Sequence, residues 1–168
     1  MTKPPSPQKQ LDGFLDKYLP DIADQARACL KILRARMPGA VQLVYDNYQS
    51  LVIGFGPSER ASEAIFSLVL FPRYLRLFFL QGTGVPDPDK LLEGNGNKVR
   101  SIRLAAPSDL NRPDIRELIA SAIESARVPL DSDAKGKLVI RSILPKQRPR
   151  RPAPAPSKTT RRSGLLSS

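Results

Sequence analysis

Four groups of residues in this sequence are of types that do chemistry, and each carries a plain structural reading beside the chemical one. The first is Gly94-Asn-Gly-Asn-Lys98, two closely spaced glycines followed by a lysine. Glycines let backbone amides approach an anion, so Gly94, Gly96, Lys98, Arg100 and Arg103 form a candidate anion or ligand site. A phosphate-cradling loop follows a strand and opens a helix. This one leads into a strand, which is equally the setting of a tight turn. The second group is Asp12, Asp16, Asp21 and Asp24. Asp12 and Asp16 are i, i+4 neighbours on a helix face, and clustered carboxylates hold hard cations such as ferrous iron or magnesium. Scattered helix carboxylates also serve as solvated surface or as partners of the helix dipole.

The third group is basic. Lys146, Arg148, Arg150, Arg151, Lys158, Arg161 and Arg162 lie in a stretch with no aromatic residue and many prolines. Such a segment binds a polyanion (DNA, RNA or an acidic surface) by releasing counterions, without reading sequence. About six phosphate contacts would lower affinity by roughly five powers of ten per tenfold rise in salt. Stacking on single-stranded bases lacks its aromatic platforms here. A solvated basic tail without a specific partner is the alternative. The fourth candidate is Cys29, the one cysteine, set in the apolar stripe of a helix where a small buried residue is expected.

The chain has no histidine. Serine, threonine and cysteine hydrolases that depend on a histidine base are therefore excluded, as are histidine-liganded zinc and haem sites. A single cysteine excludes an intramolecular disulfide and suits a reducing compartment. The N-terminus MTKPPSPQKQ lacks the apolar stretch of a secretory signal, and no run reaches the roughly 18 apolar residues of a membrane span. The expected location is cytoplasmic.

The elements that must position these residues follow from periodicity. Leu11, Phe14, Leu15 and Tyr18 fall at helical spacing. Pro20 suits the first turn of a second helix running to about Arg36, with Ile22, Ala26, Cys29, Leu30 and Leu33 as its apolar stripe. Met37-Pro-Gly39 stops it. Strand-length runs follow at Val41–Tyr45, Leu51–Phe55, Ala64–Phe71 and Tyr74–Leu80, with connections short enough to require antiparallel pairing. Residues 81–97 are irregular, with one helical turn expected at Asp87–Leu92. Val99–Leu104 returns as a strand with Arg100, Ile102 and Leu104 on one face. A helix opens near Pro113 and carries Ile115, Leu118, Ile119, Ala122, Ile123 and Ala126 on its core side.

This layout predicts an α/β (α+β) two-layer sandwich. A mostly antiparallel sheet of about five strands is covered on one face by N-terminal and C-terminal helices. The expected divisions are a disordered N-terminus over 1–8, the domain over 9–130, a linker over 131–144 that can carry an edge strand at Leu138–Leu144, and a basic, proline-rich, disordered tail over 145–168. Charge supports the last division. Ten of the 27 Lys and Arg, but none of the 16 Asp and Glu, lie from Lys135 onward, so the net +11 divides into +1 before that residue and +10 from it.

The segment Leu91-Leu-Glu-Gly-Asn-Gly-Asn-Lys-Val-Arg-Ser-Ile-Arg-Leu104 resembles the YdhG-like domain family, a bacterial group of unknown function with a Leu-x-Gly-x-Gly-Lys-x-x-Arg-x-Ile-x-Leu stretch before its last helix. Gly94, Gly96, Lys98, Arg100, Ile102 and Leu104 stand in for that stretch, with Asn97 as an extra residue. The resemblance extends from the strands to about Arg127, and Leu138–Pro152 is similar to the basic ending of some members. It implies a frataxin-like fold and, for some relatives, an iron-chaperone role in which Asp12, Asp16, Asp21 and Asp24 would represent the acidic surface. The combined expectation is a non-catalytic domain that acts by binding and needs no cofactor. The alternatives are an intracellular iron-binding chaperone, with ferrous iron as bound cargo, and a nucleic-acid-associated protein working through its tail.

Overall fold

A computed structural model of the chain describes residues 3–153. Helix α1 (Pro7–Leu15) starts where the Ser6 hydroxyl accepts the backbone N–H of Lys9, an N-cap reinforced by proline in the first turn. It therefore begins just inside the segment expected to be disordered. Helix α2 (Pro20–Arg36) also opens on proline, with Asp21 at its positive end and Arg34 and Arg36 at its negative end. Both carry apolar residues at helical spacing. Leu11, Phe14 and Leu15 of α1 and Ile22, Ala26, Cys29, Leu30 and Leu33 of α2 are buried.

The strands are β1 (Val41–Asp46), β2 (Leu51–Gly56), β3 (Phe66–Leu70), β4 (Leu75–Phe79), β5 (Arg100–Leu104) and β6 (Lys137–Ile143), with α3 (Pro113–Glu124) between the last two. They form one six-stranded sheet in the order β5-β4-β3-β2-β1-β6. The first five strands pair antiparallel, as their short connections require. β6 pairs parallel with β1 at the sheet edge, which makes the sheet mixed. The fold is thus α+β, with one more strand than the count of about five. The expected helical turn at Asp87–Leu92 is a hydrogen-bonded turn instead. There the Asp87 carboxylate accepts from the N–H groups of both Leu91 and Leu92, competing with helical bonding.

Register explains the core. Ile140, Val44, Ile53, Leu68, Leu77 and Ile102 are successive partners across all six strands, so they share one face. That row packs beneath α1, α2 and Ile115, Leu118, Ile119 and Ala122 of α3. Phe66 and Phe79 meet edge-to-face at 5.1 Å within it. Fully burying each such side chain contributes about 1.5–3 kcal/mol. The opposite face carries Tyr45, Val52, Val69, Arg76 and Arg103 as another cross-strand row. Among the described residues no helix is long and apolar enough to cross a membrane.

Candidate functional site

A pocket of about 450 Å³ opens beside the β3 and β4 ends. Its position follows from local bonding. Leu80 donates to Ile65 and sets Phe79 beside Ile65, two buried side chains on the pocket wall. The short 3-10 turn Gly82–Gly84 then folds back, and Thr83 holds the returning chain through its N–H to Lys98 O and its hydroxyl to Asn97 O. That places Lys98 on the rim. The end of α3 supplies the facing side through Ala122, Ser125 and Ala126, with Arg127 following. An apolar floor of Ile65, Phe79 and Val85 lies under polar groups from Lys98, Arg127, Gln81 and Glu63. Its volume falls within the range of small-molecule sites, with a more polar lining than most.

The glycine-loop candidates separate here. Lys98 lines the pocket. The Arg100 guanidinium turns back and donates to Gly96 O at 2.6 Å and Val99 O at 2.8 Å, so it closes the loop on itself. Arg103 points away on the open sheet face, its guanidinium 4.9 Å from the Tyr74 ring centre. Gly94 has φ +137°, a conformation reserved for glycine, with Val99 O 3.2 Å from where a Cβ would sit. Gly96 has open space around that position. Gly94 thus meets the requirement of a turn, nothing around Gly96 requires glycine, and Lys98 is the member that lines the pocket.

Two of the aspartates meet at one arginine and are partly neutralised by it. Asp16 accepts from Arg27 at 2.6 Å, and Asp24 lies 3.9 Å from the same guanidinium. Asp12 accepts from Gln8. Asp21 lies in the first turn of α2. Among the described residues no three of His, Cys, Asp and Glu are grouped as a metal ion requires. Cys29 is buried, and burial, with Asp109 adding to it, pushes its thiol up to about 12, the opposite of an activated nucleophile.

The basic segment divides in two. Lys158, Arg161 and Arg162 lie outside the described residues. Lys146, Arg148 and Arg151 are exposed, the last donating to the backbone carbonyls of Lys17 and Asp16. Arg150 is different. Its side chain is 3% exposed and bonds at 2.9 Å to Asp46, whose own side chain is 0% exposed. Residues 145–153, expected as the start of a disordered tail, are therefore drawn against the domain, and Arg150 is withdrawn from any polyanion surface. The physical reason is a buried carboxylate that needs a counter-charge.

Asp46 is the group that the residue types alone did not single out. Burial raises its carboxyl, but hydrogen bonds from Lys17, Gln147 and Arg150 and the Lys17 charge more than offset that, holding it below the ordinary carboxylate range. Lys17 donates at 2.8 Å to one oxygen and Arg150 to the other. Arg150 also bonds the carbonyls of Asn47, Tyr48 and Ser50 and lies 5.8 Å over the Tyr18 ring. The Tyr18 hydroxyl in turn accepts from Leu51 N and donates to Leu70 O. Burial pushes that phenol up to about 12, with Arg150 pulling the other way. This network clamps the corner between α1 and α2, the β1–β2 turn and the C-terminal segment. Every charged member of it is committed to another, so it acts in structure rather than in ligand binding.

Comparison of the chain with protein-family models, with curated proteins and with solved structures finds no match in any of the three.

Proposed function

We propose that this protein acts by binding rather than by catalysis, and that its ligand is a small organic anion with an apolar body held in the pocket between β4 and the end of α3. The observation that carries the reading is that Lys98 and Arg127 line the same pocket as the buried apolar side chains Ile65, Phe79 and Val85. Two opposing terms are present. The α3 C-terminus presents the negative end of its dipole, about half a charge. Glu63 also lines the pocket, but its carboxylate accepts from Ser58 at 2.7 Å and sits 3.9 Å from Arg60. Two full cations outweigh a half charge and a carboxylate already partnered elsewhere. A carboxylate or phosphate monoester on an aromatic or branched aliphatic body matches that balance.

The test is calorimetry of the full chain against matched pairs of ligands, each aromatic or aliphatic acid beside its neutral amide. Acids should bind and amides should bind much less. Replacing both cations (Lys98→Ala with Arg127→Ala) should weaken acid binding by at least about a hundredfold, the worth of two charge-assisted hydrogen bonds at about 1.5 kcal/mol each. Equal affinity for acids and amides, or no binder among them, would remove this reading.

A further inference from the structure

Five large apolar side chains are exposed among the described residues, and three of them belong to backbone segments that meet at one corner of the sheet: Tyr48 at 40%, Ile143 at 50% and Leu144 at 42%. Their convergence is built in by pairing. Ile143 ends β6 opposite Asp46, and Leu144 N donates to Asp46 O at 2.9 Å. Tyr48 lies two residues beyond in the β1–β2 turn, and its carbonyl accepts from Arg148 N at 2.8 Å. The Gln147 side chain donates to the carbonyls of Asp46 and Leu144, fixing the chain between them. Exposed Arg141, Lys146 and Arg148 flank Ile143 and Leu144 along the chain. The neighbouring carboxylate, Asp46, is buried and committed to Lys17 and Arg150, so it does not screen these cations.

We propose that this corner is a peripheral docking site for an anionic lipid bilayer. Lysine and arginine meet lipid phosphates, a tyrosine ring suits the headgroup level, and isoleucine and leucine suit the acyl boundary. A fluid surface moulds itself around a protrusion. A nucleic acid would use the cations but offers no apolar phase to Ile143 and Leu144. The proposal is independent of the pocket.

The experiment is sedimentation of the full chain with vesicles of phosphatidylcholine alone and of an equimolar mixture with phosphatidylglycerol. Binding is expected only to the anionic vesicles. I143S with L144S should weaken it by about tenfold, through lost apolar insertion. Lys146→Gln with Arg148→Gln should weaken it by about 25-fold, roughly fivefold per cation. Because all four positions are exposed, circular dichroism should report an unchanged fold. Failure to sediment with anionic vesicles overturns the proposal. So does undiminished binding by I143S with L144S, which would assign the attraction to charge alone. Duplex DNA that displaces the protein from vesicles and loses affinity equally on I143S with L144S would point to a nucleic acid and also overturn it.

Discussion

Replacing Asp46 by asparagine tests whether the C-terminal segment is held by a buried ion pair. The substitution keeps the shape and removes the charge, leaving Arg150 buried without its counter-charge, against at most one amide oxygen and the carbonyls of Asn47, Tyr48 and Ser50. Removing one member of a buried pair costs about 3–5 kcal/mol. Arg150 keeps those backbone acceptors, and the Lys17 side chain is 42% exposed, so water takes over its hydration. The expected loss is therefore at the lower end, about 3 kcal/mol, or a Tm lower by about 6–12 °C for a chain of this size. Urea denaturation of the full chain at pH 7 measures it directly.

The pH dependence gives an independent check. Asp46 is held below its unfolded value of about 3.9, so it contributes stability above that pH, lost as pH falls through the folded pKa. The gap between parent and Asp46→Asn should be full at neutral pH and shrink below about pH 4. Adding Arg150→Met to Asp46→Asn should recover part of the loss, because the stranded guanidinium is gone. A gap below about 1 kcal/mol at pH 7, or one that stays constant down to acid pH, would show that no buried ion pair holds the segment.

Tyr18→Phe removes one hydroxyl that serves both Leu51 N and Leu70 O, leaving two buried backbone groups without a partner. It should cost about 2 kcal/mol in urea denaturation, and a cost under about 0.5 kcal/mol would show that the bridge is dispensable. Gly39→Ala and Gly13→Ala should move stability in opposite directions in thermal melts. Gly39 has φ +81° and an added Cβ would lie 2.1 Å from Asp131 O, so a loss of at least about 2 kcal/mol is expected. Gly13 sits inside α1 with nothing within 4 Å, so alanine there should stabilise by about 0.5–1 kcal/mol. The same sign at both positions would contradict this assignment.

Much of the fold was legible because it rests on local periodicity. The stripe from Ile22 to Leu33 could face only one way, and Pro20 and Gly39 bound the helix that carries it. The short connections from β1 to β4 left antiparallel pairing as the only geometry. Even the edge strand near Leu138 showed as an apolar run, although its parallel direction did not. That direction comes from docking on β1, a contact between segments almost a hundred residues apart. The site was less legible. Lys98 stood out as part of a glycine loop, yet its relevant neighbours are Phe79 and Arg127, which reach the same pocket from β4 and from the end of α3. Nothing in the spacing of Gly94, Gly96 and Lys98 brings those residues together.

Arg150 marks the limit most clearly. In sequence it is indistinguishable from Arg148, both being cations in a run with prolines. One is exposed and the other buried, and the difference is made by a carboxylate 104 residues away. Asp46 was missed because the strand was expected to end at Tyr45, whereas β1 runs one residue further. In Val41-Gln-Leu-Val-Tyr-Asp46 the alternation puts Asp46 on the same face as Val44, which lies in the core row. An acid at a core position must be paired, because an isolated buried charge costs far more than a fold's net stability can absorb. The question that such a residue raises is which cation comes to meet it. With the domain itself near neutrality, a basic C-terminal segment is the richest source of one. By that argument the segment's charge is not wholly an address for an external partner. Part of it is spent closing the fold, and the cations left exposed beside Ile143 and Leu144 along the chain are those available for anything else.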